Sequence, residues 1–446
     1  MTVTILPASS VESAPSRKDI LLPPDKSILH RVLIIGSLTS SRITIKNISS
    51  DMIPEDIHST IRVLRQLGVK IEIGLSSIHL QGVGLQGLKA PSKPLDCGNS
   101  GTTARLMMGV LAGQTFDSTL VGDESLSKRP MKRLATLLND NFGANIKCLD
   151  VDGLPITIHG QKLHSGANPI SVRSAQIKSA VLVASLYTDS QAKITEEVTS
   201  RDHTERVLDA FALFTTDKEL ESDIEYFLPK DFSGASYFIV AAILSKSTLT
   251  LKSVSLNPTR TRFLSILQNC GLKVTLMDKQ SNWGEEYGDI EVDGALFVRI
   301  GQHNFTEEDI SLCIDELPLV AVLASQCEGT TTIRNASELR KKESDRISAV
   351  CENLRLFGVK VEEYEDGFSV SGVADIHGGS IKASGDHRIA MAFSLLGLVS
   401  SKEVTIPDAE VVSISFPAFF EQLSHFIGNS GSTRYATYDV KSSSSR

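Results

Sequence analysis

One pattern of apolar and polar positions recurs along the chain: a leucine-bearing helix end, a glycine, then strict alternation. It reads LRQLGVKIEI at 64–73, LNDNFGANIKCL at 138–149, LQNCGLKVTL at 267–276 and LRLFGVKVEE at 354–363. The glycines (68, 143, 271 and 358) stand where a helix must turn left-handed to end. The alternation after each predicts a half-buried strand. A degenerate copy, LDAFALFTT at 208–216, falls in the long gap between the second and third, and a sixth helix end, FFEQLSHFIG, closes at Gly428. Six related α/β units of roughly 60–90 residues follow, three to a domain.

Composition narrows the class. The chain has 446 residues, 41% hydrophobic and 22% charged, which fits a globular protein of two domains. Runs such as AVLVASL at 180–186 fall far short of the roughly 20 residues that span a bilayer. A net charge of −8 speaks against nucleic acid, so a bound anion needs a local cluster of cations. The six cysteines, at 97, 148, 270, 313, 327 and 351, form no C-x-x-C and no metal-ligand spacing. Reduced core thiols and a cytoplasmic location are expected, with no metal. The start of the chain lacks the pattern of a secretory signal. The tail 428–446 is polar and Ser-rich and is expected to be disordered.

Polar groups gather at the starts of apolar helices. DKSILHR (25–31) brings Lys26, Ser27, His30 and Arg31 to a helix mouth, where free N–H groups favour an anion. GNSGTTARL (98–106) is a glycine-bearing loop opening a helix, without the spacing of a P-loop or a dinucleotide fingerprint. In SKRPM (127–131), Arg129 is the candidate for a fixed contact, while Lys132 and Arg133 read as a solvated face. SVRSAQIKSA (171–180) offers Ser174, Gln176 and Lys178, and SRDHTER (200–206) offers Ser200 and Arg201. Asp315 and Glu316 head the apolar stretch IDELPLVAVLAS (314–325), where helix capping and a functional carboxylate both fit. In ELRKKESDRI (338–347), Lys342 and Arg346 are four residues apart and are expected to share a helix face beside Glu343. GDHRIAMAF (385–393) opens yet another helix with Asp386, His387 and Arg388.

These blocks, with NPTRT at 257–261, resemble in order the 5-enolpyruvylshikimate-3-phosphate synthase family from Leu22 to about Phe420. The resemblance implies an α/β fold of two similar domains, each of three βαβαββ units in an inside-out barrel, with the active site in the cleft between them. It also implies a chain that crosses twice: 25–229 as an inserted domain, and 1–24 with 230–427 as a discontinuous one. The family joins phosphoenolpyruvate to the 5-hydroxyl of shikimate 3-phosphate and releases phosphate. No cofactor is implied, and the protein is expected to be a monomer with these two small molecules as its partners.

Carried over by position, Lys26, Ser27, Arg31, Ser174, Gln176, Ser200, Asp315 and Lys342 match residues that hold shikimate 3-phosphate. Lys26, Gly101, Arg129, Gln176, Arg346 and Arg388 match those that hold phosphoenolpyruvate. Asp315 is the expected base for the 5-hydroxyl, and Lys26 with Glu343 the acid/base pair at the methylene. His30 and His387 are read as structural. Three positions depart from the common pattern. Glu338 replaces Asn and Ala175 replaces Ser, as in a less common, glyphosate-tolerant-like subclass, and Ile414 replaces a phosphate-binding lysine. The sister family that transfers enolpyruvate to a UDP-sugar carries Lys-Asn in the first block and a loop cysteine. Here Ser27 follows Lys26, and 122–133 has no cysteine. A non-catalytic binder on this fold would lack the acid/base groups, yet Lys26, Asp315 and Glu343 are present.

Overall fold

In the computed structural model, residues 1–6, 19–149, 152–166, 169–213, 222–295, 300–428 and 433–436 are described. The repeat shows in the backbone. Helices Glu55–Gln66, Lys132–Phe142, Arg262–Asn269 and Arg346–Leu356 each end beside their glycine, and all four glycines have positive φ. Strands Lys70–Ile73, Asn145–Cys148, Lys273–Asn282 and Lys360–Tyr364 follow. The fifth end is the helix His203–Ala210; the close of its pattern, from 214, lies outside the described residues. The sixth, Phe419–Ile427, stops at Gly428.

Among the described residues the strands form six sheets. Two four-stranded sheets share one plan. In the first, Asp223–Phe227 pairs parallel with Arg42–Lys46, then Ser77–Gln81 and Lys70–Ile73 add antiparallel. In the second, Leu95–Asp96, Asp117–Val121, Ile156–His159 and Asn145–Cys148 repeat that order. The third four-stranded sheet places Thr2–Ile5 between Val404–Ile406 and Thr433–Ala436. The expectation of a disordered tail therefore fails at Thr433–Ala436, which forms an edge strand. Its pairing partner lies more than 400 residues away, so composition gives no sign of it.

Buried apolar side chains fall into two cores. One draws on residues 28–228. The other draws on residues 3–22, on 232–427 and on Met52. Two short linkers run side by side where the chain passes between them. Asp25 N–H donates to Pro229 O (2.9 Å), and Asp231 N–H donates to Pro23 O (3.0 Å). Among the described residues no helix is long and apolar enough to cross a membrane. Five of the six cysteines are buried, and none is in a disulfide.

Candidate active site

The Lys26–Ser37 helix is capped by Asp25, whose carboxylate accepts the Ile28 N–H (3.0 Å). Lys26 and Ser27 are thereby free of capping. The Lys26 ammonium meets Asp56 (2.8 Å) on the neighbouring Glu55–Gln66 helix. Arg31 is buried one turn further in. Its Nε donates to Thr204 Oγ1 (2.7 Å), Nη2 to Ser179 Oγ (2.9 Å) and Nη1 to Ser27 O (2.7 Å). Among the described residues no carboxylate forms an ion pair with it. Burial pulls its pKa down to about 10.

Ser100 caps the Gly101–Ala112 helix by accepting the Thr103 N–H (3.2 Å). A Cβ on Gly101 would lie 2.9 Å from Arg105 Nη1 and 3.3 Å from Arg129 Nη1, so any side chain there would press on these guanidiniums and shift them. Arg105 donates to Gln176 Oε1 (2.5 Å) and to Pro130 O (3.2 Å). Gln176 in turn donates to Thr102 Oγ1 (3.0 Å). Burial, reinforced by Arg129, pulls Arg105 down to about 10. Ser174 precedes the Ala175–Ala184 helix and makes no capping bond with its side chain. Ser200 is turned to Glu196, which accepts both its hydroxyl (2.5 Å) and its N–H (3.1 Å). The buried Lys178 holds Glu196 (3.1 Å) and Glu205 (2.7 Å) from behind.

A third group joins the two halves of the chain. Asp315 pairs with Arg201 (2.7 Å), Arg388 (3.3 Å) and Arg346 (3.4 Å). Glu343 pairs with Arg129 (3.2 Å) and with Arg346. Asp386 caps the His387–Ser394 helix and also holds Arg346 Nε (2.7 Å). Burial alone would raise the Asp315 carboxyl. Arg388, Arg201, Lys342 and Arg346 together hold it well below the usual carboxylate range. For Glu343 burial is likewise outweighed, by Arg346 and Arg129 above all. Arg129, Arg201, Lys342, Arg346 and Arg388 thus face Asp315, Glu343 and Asp386, five cations against three carboxylates. The surplus suits multiply charged anions.

Two local expectations change. Glu316, not Asp315, is the residue before the Leu317–Ala324 helix, and its side chain makes no cap bond. The Asp315 carboxylate is therefore not a cap. Lys342 and Arg346 do not share a helix: Lys342 is extended, and the next helix starts at Arg346 behind the cap Asp345. Asp345 is a strong N-cap, and it outweighs the i,i+4 spacing. Lys342 still reaches the cluster. Burial lowers its pKa while Asp315 pushes it back up. Burial, then Lys26, holds His387 neutral, with both ring nitrogens unpartnered among the described residues.

Arg105 joins the predicted residues here, and Arg201, offered by SRDHTER without a substrate role, gains one through Asp315. Arg201 follows Ser200 directly, and Arg105 sits four residues after Gly101, one turn along the same helix face. Those positions were the available signal. Lys132 and Arg133 are exposed, whereas Arg129 is buried. Ile414 is half-buried at the end of the Ala409–Ile414 turn. Among the described residues no group of His, Cys, Asp or Glu side chains is arranged to hold a metal ion.

The family model described as EPSP synthase (3-phosphoshikimate 1-carboxyvinyltransferase) matches residues 12–423. A 3-phosphoshikimate 1-carboxyvinyltransferase of Desulforamulus reducens is 40% identical over 422 residues, covering 92% of this chain and 97% of the relative. One of Bacillus subtilis is 40% identical over 425 residues, covering 91% and 96%. A solved EPSP synthase of Acinetobacter baumannii superposes with a TM-score of 0.78 at 34% identity, covering 95% of this chain and 97% of that one.

Proposed function

The chain belongs to the EPSP synthase (3-phosphoshikimate 1-carboxyvinyltransferase) family, and on that premise we propose how its own residues perform the transfer. It moves the enolpyruvyl group of phosphoenolpyruvate to the 5-hydroxyl of shikimate 3-phosphate. The observation that carries this reading is Asp315, a buried carboxylate ringed by Arg201, Arg346 and Arg388, with Glu343 held beside it by Arg346.

Arg31 with Ser27, Ser174, Gln176, Ser200 and Lys342 receives shikimate 3-phosphate. Gly101, Arg129, Gln176, Arg346 and Arg388 receive phosphoenolpyruvate. Arg105 and Arg201 extend these two sets through their bonds to Gln176 and Asp315. Lys26 delivers a proton to the enol methylene. The 5-oxygen then bonds to C2 as Asp315 takes the hydroxyl proton, giving a tetrahedral adduct. Glu343 and Lys26 retrieve a methyl proton, the C–O bond to phosphate breaks, and inorganic phosphate leaves.

Asp315 gains basicity on binding. Without ligand its guanidinium partners depress its proton affinity. Substrate phosphate and carboxylate groups draw those guanidiniums away, so the field that weakens the base fades as substrates arrive. The two cores serve as two domains, 25–229 and 1–24 with 230–427, built from six βαβαββ units in an inside-out barrel arrangement. The partners are the two small anions, and the protein works as a cytoplasmic monomer. Purified chain mixed with both substrates should release phosphate, and with either alone should not. No release from the pair overturns this reading.

A further inference from the structure

A line of buried hydrogen bonds connects three of the helices that carry the site. His30 Nδ1 lies 2.7 Å from Thr60 Oγ1, and Thr60 Oγ1 lies 2.6 Å from Thr103 Oγ1. Thr103 Oγ1 donates to Ser100 Oγ at 2.7 Å. All four side chains are fully buried. His30 belongs to the helix of Lys26 and Arg31, Thr60 to the helix of Asp56, and Thr103 to the helix opened by Gly101.

The direction of donation is set from one end. Thr103 spends its O–H on Ser100, so its oxygen accepts from Thr60. Thr60 directs its own O–H there at 2.6 Å in preference to Asp56 O, which lies at 3.4 Å, so its oxygen is left to accept from Nδ1–H of His30. His30 Nε2 has no partner among the described residues, and burial keeps the ring neutral. The line ends on the hydroxyl that caps the Gly101 helix. Beside that cap the clearance is tight, since a Cβ on Gly101 would already press on Arg105.

We propose that Thr60 and Thr103 are positioning residues for the phosphoenolpyruvate half of the site. They register the start of the Gly101 helix against the helix of Lys26 through the His30–Thr60–Thr103–Ser100 line. This rests on the transferase reading above. Neither threonine touches substrate. Their work is to hold the Gly101 backbone and Arg105 at a fixed distance from Lys26, where a shift well under an ångström alters the fit of a small anion.

The test compares Thr60→Val and Thr103→Val, which keep shape and remove the hydroxyl, with Thr60→Ser and Thr103→Ser, which keep it. Phosphate release is measured against each substrate in turn. The valine variants should raise the Michaelis constant for phosphoenolpyruvate about three- to ten-fold, the size of one lost hydrogen bond. That for shikimate 3-phosphate should stay within about two-fold, and the serine variants should restore wild-type values. If both Michaelis constants rise together, if neither moves, or if serine fails to rescue, the inference is overturned. Should one valine variant not fold, the other reads the same line, and failure of both assigns the threonines a structural role and overturns it. A wild type that releases no phosphate overturns the transferase reading itself. An active wild type with unchanged variants overturns only this inference.

Discussion

Arg31 and Arg388 are both buried guanidiniums at the site, yet burial leaves them in opposite states. Arg31 is met by two hydroxyls and a carbonyl, and burial pulls its pKa down to about 10. Arg388 lies beside the Asp315 carboxylate, which outweighs burial and pushes its pKa up. The same division separates Arg105, bonded to neutral oxygens and lowered, from Arg346, paired with three carboxylates and raised. Neutral oxygens leave a desolvated charge uncompensated, so an arriving anion gains nearly its full attraction. Carboxylates compensate it already, so an anion there must exchange with them. One half of the site attracts, and the other trades partners.

The largest effect should come from the trading half. Asp315→Asn should lower phosphate release about 10²–10⁴-fold, as loss of a general base does. It also strips a carboxylate from Arg201, Arg346 and Arg388, so sulfate should raise its melting temperature more than that of the wild type. An equal response to sulfate would mean that these cations were never compensated by Asp315.

Arg31→Met probes the attracting half. Charge-assisted bonds contribute roughly 1.5–3 kcal/mol each, so the Michaelis constant for shikimate 3-phosphate should rise ten-fold or more. The melting temperature without ligand should hold or rise, because an uncompensated charge leaves the interior. Arg388→Met should instead lower it by leaving Asp315 less well paired. Calorimetry of the two variants decides, and a matching loss of stability in both would erase the distinction.

Acid separates the halves again. Asp315 and Glu343 are depressed below their ordinary values of 3.8 and 4.5. Their contribution to stability is complete above those values and is lost as pH falls through the folded-state ones. Arg31 and Arg105 stay charged throughout that window and add nothing to the slope. Melting temperature should therefore drop below about pH 4 in the wild type and drop less in Glu343→Gln. Parallel curves would show that Glu343 is not depressed.

The smallest effect concerns Ile414. A lysine there adds a half-exposed cation, and such pairs contribute about 0.2–1 kcal/mol. Ile414→Lys should lower the Michaelis constant for phosphoenolpyruvate by at most about five-fold in steady-state kinetics. A larger drop would place Ile414 nearer the anion than its half-buried turn suggests.

Much of this was legible in the sequence where the physics is local. A glycine ending a helix leaves its mark within ten residues, and Gly68, Gly143, Gly271, Gly358 and Gly428 all have the positive φ their patterns predict. Arg129 against Lys132 and Arg133 was legible for the same reason, since the neighbouring proline singles it out. Partnerships between distant segments left no local trace. Arg201 meets Asp315 across 114 positions, and Arg129 meets Glu343 across 214. Lys342 and Arg346 do not share the helix that their spacing predicts, because Asp345 caps the helix between them and a strong N-cap outweighs an i,i+4 pairing. Thr433–Ala436 escaped because a strand in a polar tail depends wholly on its partner.

The interleaving of the two cores also sets an order on synthesis. Every buried residue of the core within 28–228 has been made once Leu228 leaves the ribosome. The other core needs residues 3–22 from the beginning and Phe426 and Ile427 from near the end. At about 5–20 residues per second, the early strand Thr2–Ile5 waits roughly 20–80 s for the segments it pairs with. During that interval its apolar face, Val3 and Ile5, has no home in the finished half. A nascent chain stalled after residue 230 should therefore hold one folded half trailing an adhesive leader, a natural client for a ribosome-bound chaperone.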